Sequence, residues 1–238
     1  GGVLAPDEWT TCIRMRIGAP VLSSARVCAA CGENVLDTLG YHALCCAKAE
    51  STKGHYAVRN ALAKAFVAGD PATELETEGL IPSAPTLRPA DILTQAGHPH
   101  KIMAVDVMVK CPYATAAGHD CAENGKRDKI NRYAAYAPEL NRQGIWYAPA
   151  VFSSFGRRHP DVTTMLHEAA RRVARRQGTG QQPELVRRWY RTVTAEVWSR
   201  AARMVHRCIM PVDTADEEFQ PPWEGPPGLD GDELGGGE

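Results

Sequence analysis

Between Arg88 and Val109 two apolar runs flank a short Gly/Pro-containing loop, and each run carries one acid, Asp91 and Asp106. The pattern predicts a β-hairpin. With the loop at Gly97 to His100, Ala96 pairs with Lys101, and the same register sets Asp91 directly opposite Asp106. Cross-strand neighbours on one face have Cβ atoms about 4.5–5.5 Å apart. Two carboxylates that close repel each other unless a cation lies between them, and a hard divalent ion such as Mg²⁺ suits oxygen ligands. The alternative is that each aspartate is merely a solvated residue on an edge strand.

The second run favours the first reading. Ile102, Ala104, Asp106 and Met108 share one face, and Met103, Val105, Val107 and Val109 share the other. A strand apolar on both faces is central and covered on both sides. An acid in its middle is costly without a partner.

The elements around this hairpin follow from periodicity. Residues 7–18 predict a short helix capped by Asp7 with Trp9, Ile13 and Ile17 as its apolar stripe. Residues 52–68 predict a helix through Val58, Leu62 and Phe66, ended by Gly69-Asp70-Pro71. A short strand is expected from Glu74 to Ile81, with Glu76 and Glu78 on one side. Residues 119–137 predict a helix ending before Pro138, on which Glu123, Lys126, Lys129 and Tyr133 share a face. Alone, that face is solvated surface; beside metal-bound carboxylates it becomes a phosphate clamp. A last strand is expected over Ile145–Phe152, its pairing limited by Pro149. Two helices near 161–177 and 184–209 complete the chain's ordered part.

Upstream, Cys28-x2-Cys31-x10-His42-x3-Cys46 has the spacing of a closed, structural Cys₃His zinc site, with Gly32 relieving the first knuckle. Cys45 competes with Cys46 for the fourth position, and the spacing favours Cys46. A zinc hydrolase built on His42, His55, His98 or His100 is weaker, because no open three-ligand set stands out. Without a secretory signal, the clustering of Cys28, Cys31, Cys45 and Cys46 favours a metal site over disulfides, and a reducing, intracellular compartment is the default expectation.

The formal net charge is −1, but it hides an asymmetry. Residues 157–208 hold twelve arginines against four acids, and residues 213–238 hold nine acids with no Lys or Arg. This suits a basic surface that meets phosphate, followed by a disordered acidic tail. An arginine-rich helix can equally be a solvated face. No run approaches a membrane span. With no initiator Met, the chain is expected to be a segment of a longer polyprotein or gene model.

The order helix, three strands, helix, strand, with carboxylates on strands two and three, resembles the restriction-endonuclease-like (PD-(D/E)xK) core. More closely, the chain is similar to the endonuclease domain of site-specific non-LTR retrotransposons and related reverse-transcriptase-associated proteins. The matching residues are Cys28, Cys31, His42 and Cys46, then Arg88-Pro89-Ala90-Asp91, Asp106, and Lys126 with Lys129 and Tyr133. Glu76 matches the family's acid before the hairpin. There are departures: Ala90 separates proline from aspartate, Met108 stands where a lysine would follow Asp106, and the family's Arg-His-Asn appears as Val58-Arg59-Asn60.

The resemblance covers residues 12–160 and implies an α/β fold. An N-terminal helix and CCHC zinc knuckle would occupy residues 1–50, and an αβββαβ restriction-endonuclease-like domain residues 51–160. An arginine-rich helical extension would follow at 161–210 and the acidic tail at 211–238. It implies a nuclear, Mg²⁺-dependent endonuclease that nicks DNA to prime reverse transcription. Asp91, Asp106 and Glu76 would hold Mg²⁺, Lys126 or Lys129 would stabilise charge, Tyr133 would place water, and zinc would be structural. Arg59, Arg88, Arg157 and Arg158 are candidate contacts to DNA, or to RNA. A reverse transcriptase would lie in the same polyprotein. The rival reading is an inactive nucleic-acid-binding module derived from such an element.

Overall fold

The computed structural model describes residues 3–46, 48, 51–114 and 117–210; the acidic tail lies outside the described residues. At its centre is a four-stranded sheet of β3 (Glu74–Leu75), β4 (Ile92–Thr94), β5 (Ile102–Lys110) and β6 (Ile145–Ser153), in that spatial order. The first three strands run antiparallel, and β6 lies parallel to β5. A parallel pair needs a crossover. Here it is helix α3 (Cys121–Tyr133), a 3-10 turn at Ala134–Tyr136 and helix α4 (Ala137–Arg142).

The two-sided apolar pattern of β5 is used as its residues suggest. Met103, Val105 and Val107 face α2 (Ser51–Gly69), α5 (Pro160–Gln177) and α6 (Gln182–Ile209), where Val58, Leu62, Phe66, Leu166, Trp189 and Val197 fill one core. Ala104 faces Tyr133 of α3 and Leu140 of α4 in a second cluster. Val58, Leu62 and Phe66, four residues apart on one stripe of α2, have no exposed surface. Each contributes about 1.5–3 kcal/mol by leaving water.

The boundary expected at 160/161 is not a packing boundary. Leu185, Trp189, Val193 and Val197 of α6 recur every fourth residue and are buried in the sheet's own core. The last turns of α6 then cover the cysteine cluster through Met204, Val205 and Cys208. Among the described residues, no helix is long and apolar enough to cross a membrane.

Three local expectations are corrected. Helix α1 (Pro6–Arg16) starts after Ala5 rather than at Asp7, with Pro6 in its first turn. It buries Glu8, Cys12 and Met15, while Trp9 and Ile17 are 51 % and 72 % exposed. The reason is tertiary: Ser199 Oγ and Arg203 Nε of α6 donate to the Glu8 carboxylate at 2.9 and 2.8 Å, so an acid is carried on the inner face. Strand β3 stops at Leu75 because Glu76 takes a left-handed backbone with φ 52° and turns the chain. The helix expected over 119–137 ends at Tyr133, and Pro138 stands in the first turn of α4, where a proline costs no hydrogen bond.

Candidate active site and metal centre

The cysteine cluster is built by short local devices. Strands β1 (Arg26–Val27) and β2 (Val35–Leu36) form a two-stranded ribbon that delivers Cys28. Gly32, at φ 71°, closes the knuckle by donating its N–H to Cys28 O at 2.8 Å. The Asp37 carboxylate accepts the N–H groups of Leu39, Tyr41 and His42, which caps the 3-10 turn His42–Cys45 and aims His42. Cys28 Sγ lies 4.0 Å from Cys46 Sγ, and Cys31 Sγ lies 3.6 Å from His42 Nε2. All four ligand atoms lie within 4.8 Å of one another. A tetrahedral ion with Zn–S bonds of about 2.3 Å needs sulfurs roughly 3.8 Å apart, so the set could hold a metal ion such as zinc. The N–H groups of Asn34 and Glu33, with His42, pull the Cys31 thiol down to about 6, which favours the thiolate a metal requires. Cys45 is exposed and is not one of the four.

The pairs Ile92 with Val105, Leu93 with Ala104 and Thr94 with Met103 keep the register expected for the hairpin. The pairing stops there, so the loop runs over residues 95–101 rather than 97–100 and Ala96 does not pair with Lys101. Asp91 lies one residue before β4 and donates its N–H to Val105 O at 2.9 Å, with its carboxylate near enough to Asp106 to repel it. Asp91 Oδ2 accepts the Val107 N–H at 2.6 Å, and its Oδ1 lies 3.3 Å from His55 Nε2. Asp106 Oδ1 lies 2.7 Å from Lys129 Nζ, and its Oδ2 accepts the Tyr147 hydroxyl at 2.5 Å.

The two carboxyls are driven apart electrostatically. Burial is the largest influence on both. At Asp106 it prevails over Lys129 and Tyr147, Asp91 adds repulsion, and the carboxyl is raised above its ordinary value. At Asp91 burial is outweighed by His55, the Val107 N–H and Lys129, and the carboxyl is lowered. Tyr147 is pushed far upward, by burial first and by Asp106 next, so it remains a donor.

Helix α3 reaches the acids because Gly125 lets it approach the sheet. A Cβ there would stand 2.9 Å from Val151 Cγ1 and 3.3 Å from both Lys110 Cδ and Met108 Sδ. Asp120 caps the helix by accepting the N–H groups of Ala122 and Glu123.

The shared face of α3 divides between two sites. Lys129 meets Asp106, and the Tyr133 hydroxyl donates to Arg88 O at 3.2 Å with its ring 4.9 Å from that of Tyr147. Lys126 instead binds Asp161 at 2.7 Å, and Glu123 lies 2.8 Å from His159 Nε2, both at the start of α5. Glu76 pairs with Arg59 and lies 4.0 Å from Arg88, and joins the acids through its N–H to Asp91 O at 3.1 Å. Arg88 also pairs with Glu78 and Arg157 with Asp120, while Arg158 stacks 3.5 Å over Tyr190.

No family model, curated protein or solved structure matches this chain. The site therefore has to be read from its own chemistry: two converging carboxylates of unequal basicity, an ammonium group, and a phenol. Sequence reasoning missed His55 as a partner of Asp91 and Tyr147 as a partner of Asp106. Tyr147 was in principle findable, since in the parallel register it pairs with Ala104 and so shares the Asp106 face. It also missed Cys208, which is buried against Cys28 and Cys46 from the far end of the chain.

Proposed function

We propose that this chain is a metal-dependent endonuclease acting on DNA, of the kind that nicks a strand to expose a 3′ hydroxyl for a reverse transcriptase carried in the same polyprotein. The observation that carries the reading is Asp91 beside Asp106, near enough to repel it, with Lys129 of α3 on the latter. The helix, three strands, helix, strand order supports it.

The donor set fits a hard cation. Both acids are mostly withdrawn from water, they offer only oxygen, and burial with mutual repulsion leaves Asp106 short of stabilising charge. Asp91 and Asp106 would hold Mg²⁺, which supplies Lewis-acid polarisation of the scissile phosphate and a more acidic water. The protein's own groups do the rest. Lys129, held beside Asp106, would stabilise the charge that develops on the phosphorus oxygens. Tyr147 fixes the Asp106 carboxylate by its hydrogen bond, and His55 with the Val107 N–H fixes Asp91. Glu76 is held by arginines and orients the chain before β4 rather than sharing the ion. Lys126, tied to Asp161, steadies α3. The Cys28–Cys31–His42–Cys46 centre holds structural zinc and braces α6 against the sheet.

Supercoiled plasmid incubated with the protein and Mg²⁺ tests this. Nicking by the wild type and its loss in Asp106→Ala support the reading, and equal nicking by both overturns it. One observation favours the rival, an inactive nucleic-acid-binding module: every oxygen of Asp91 and Asp106 already has a protein partner within 3.3 Å. That reading predicts salt-sensitive DNA binding without cleavage under any metal.

A further inference from the structure

A basic and aromatic patch lies at the tip of the β4–β5 hairpin, beside the first residues of β6. Trp146 there is 44 % exposed. Lys101 Nζ stands 5.2 Å over its ring, and His98 meets it edge-on at 5.0 Å. His100 and Lys101 are exposed. The loop that carries them is held from below, where Arg172 of α5 donates to His98 O at 2.7 Å. Glu168, the acid that acts on His98, is already paired with Arg171. The patch thus offers a half-exposed indole with one ammonium group over its ring and two imidazoles in the adjoining loop.

Its position relative to the acids follows from register. Trp146 pairs with Met103 and Pro149 with Asp106, so the indole lies three residues along β6 from the level of Asp106. That is about 10 Å of strand. Strand β6 turns Tyr147 towards Asp106 and Trp146 towards the opposite face at the sheet's outer edge.

Resting on the nuclease reading, we propose that Trp146 stacks an unpaired nucleobase while Lys101 and His100 meet the flanking phosphates, so that the substrate carries a single-stranded stretch where it passes the hairpin tip at the edge of the sheet. Inside a duplex both faces of every base are covered by its neighbours. Only an unpaired base can lay a face on a surface indole, and stacking of this kind tolerates any base. The ammonium of Lys101 needs to shift only from the ring to the adjoining phosphate. A duplex could use the cations but not the ring.

Anisotropy titrations without added Mg²⁺ separate these contributions, using labelled oligothymidine and a blunt duplex of equal length against the full chain. Trp146→Ala is expected to weaken single-strand binding about 5-fold or more and to leave duplex binding unchanged. Trp146→Phe, which keeps a ring, should recover most of the loss. Lys101→Gln should weaken both substrates and reduce the salt slope by about one. Unaltered single-strand affinity in Trp146→Ala, with the urea midpoint preserved, overturns the stacking role, as does an equal loss for both substrates. If the wild type nicks plasmid while Trp146→Ala binds single strands normally, only this proposal falls. If the wild type binds neither substrate, the nuclease reading falls with it.

Discussion

Lys129 Nζ lies 2.7 Å from Asp106 Oδ1, across the gap between α3 and the middle of β5. Both side chains are largely buried, so the ammonium is the main compensation for an acid placed in an apolar strand. Removing one partner of such a pair leaves the other charge stranded. Lys129→Met is therefore expected to raise the Asp106 carboxyl further and to slow plasmid nicking by about a hundredfold or more. Lys126→Met, whose ammonium serves Asp161, should slow it much less, and a nicking time course of the two variants checks the difference.

Tyr147→Phe removes the hydroxyl that donates to Asp106 Oδ2. A hydrogen bond to a charged group contributes about 1.5–3 kcal/mol, so the unfolding free energy from urea melts should fall by an amount in that range, with the fold retained.

The two acids give opposite pH dependences. Asp91 is lowered in the folded state, so its stabilising contribution is complete above the unfolded value of about 3.9 and is lost as pH falls through its lower folded value. Asp106 is raised, so its contribution is present below about 3.9 and is lost as pH climbs through its higher folded value. Asp91→Asn should flatten the acid limb of stability against pH, and Asp106→Asn the limb above it. Urea midpoints across the acid range read both.

Purified protein is expected to carry about one zinc per chain at the four-ligand set. Cys46→Ser should lose the metal, and Cys45→Ser should keep it. Because Met204, Val205 and Cys208 of α6 pack on this cluster, chelation should lower the thermal midpoint of the whole chain, not only that of its first fifty residues. Metal analysis with a melting curve checks both points.

Gly125→Ala sets two effects against each other. Alanine improves helix propensity by about 1 kcal/mol, but its Cβ would press on Val151 at 2.9 Å, with Lys110 and Met108 behind. Overpacking at such a contact typically costs about 1–3 kcal/mol. A net loss of stability, together with slower nicking as Lys129 withdraws from Asp106, is the expected result.

What could be read locally was read correctly where one rule acted alone. The hairpin signals around Gly97–His100 determined the register in which Ile92, Leu93 and Thr94 meet Val105, Ala104 and Met103, because a one-residue slip would turn every side chain to the wrong face. The loop itself spans residues 95–101. The two-sided apolar pattern of Ile102–Val109 placed β5 inside the sheet, and the ligand spacing picked out Cys28, Cys31, His42 and Cys46. Errors arose where a distant element supplied the partner. Glu8 lies inward because Ser199 and Arg203 wait for it on α6, and no local periodicity announces that.

The chain's own order thus determined the hairpin, the metal-ligand set and the helix that carries Lys129, since each rests on spacings of a few residues. Only the tertiary structure decided which of two lysines meets Asp106, that Tyr147 and His55 hold the acids, and that α6 belongs to the core. Those outcomes depend on how closely α3 lies against the sheet and on the parallel register of β6 with β5, which are set by packing between segments tens of residues apart.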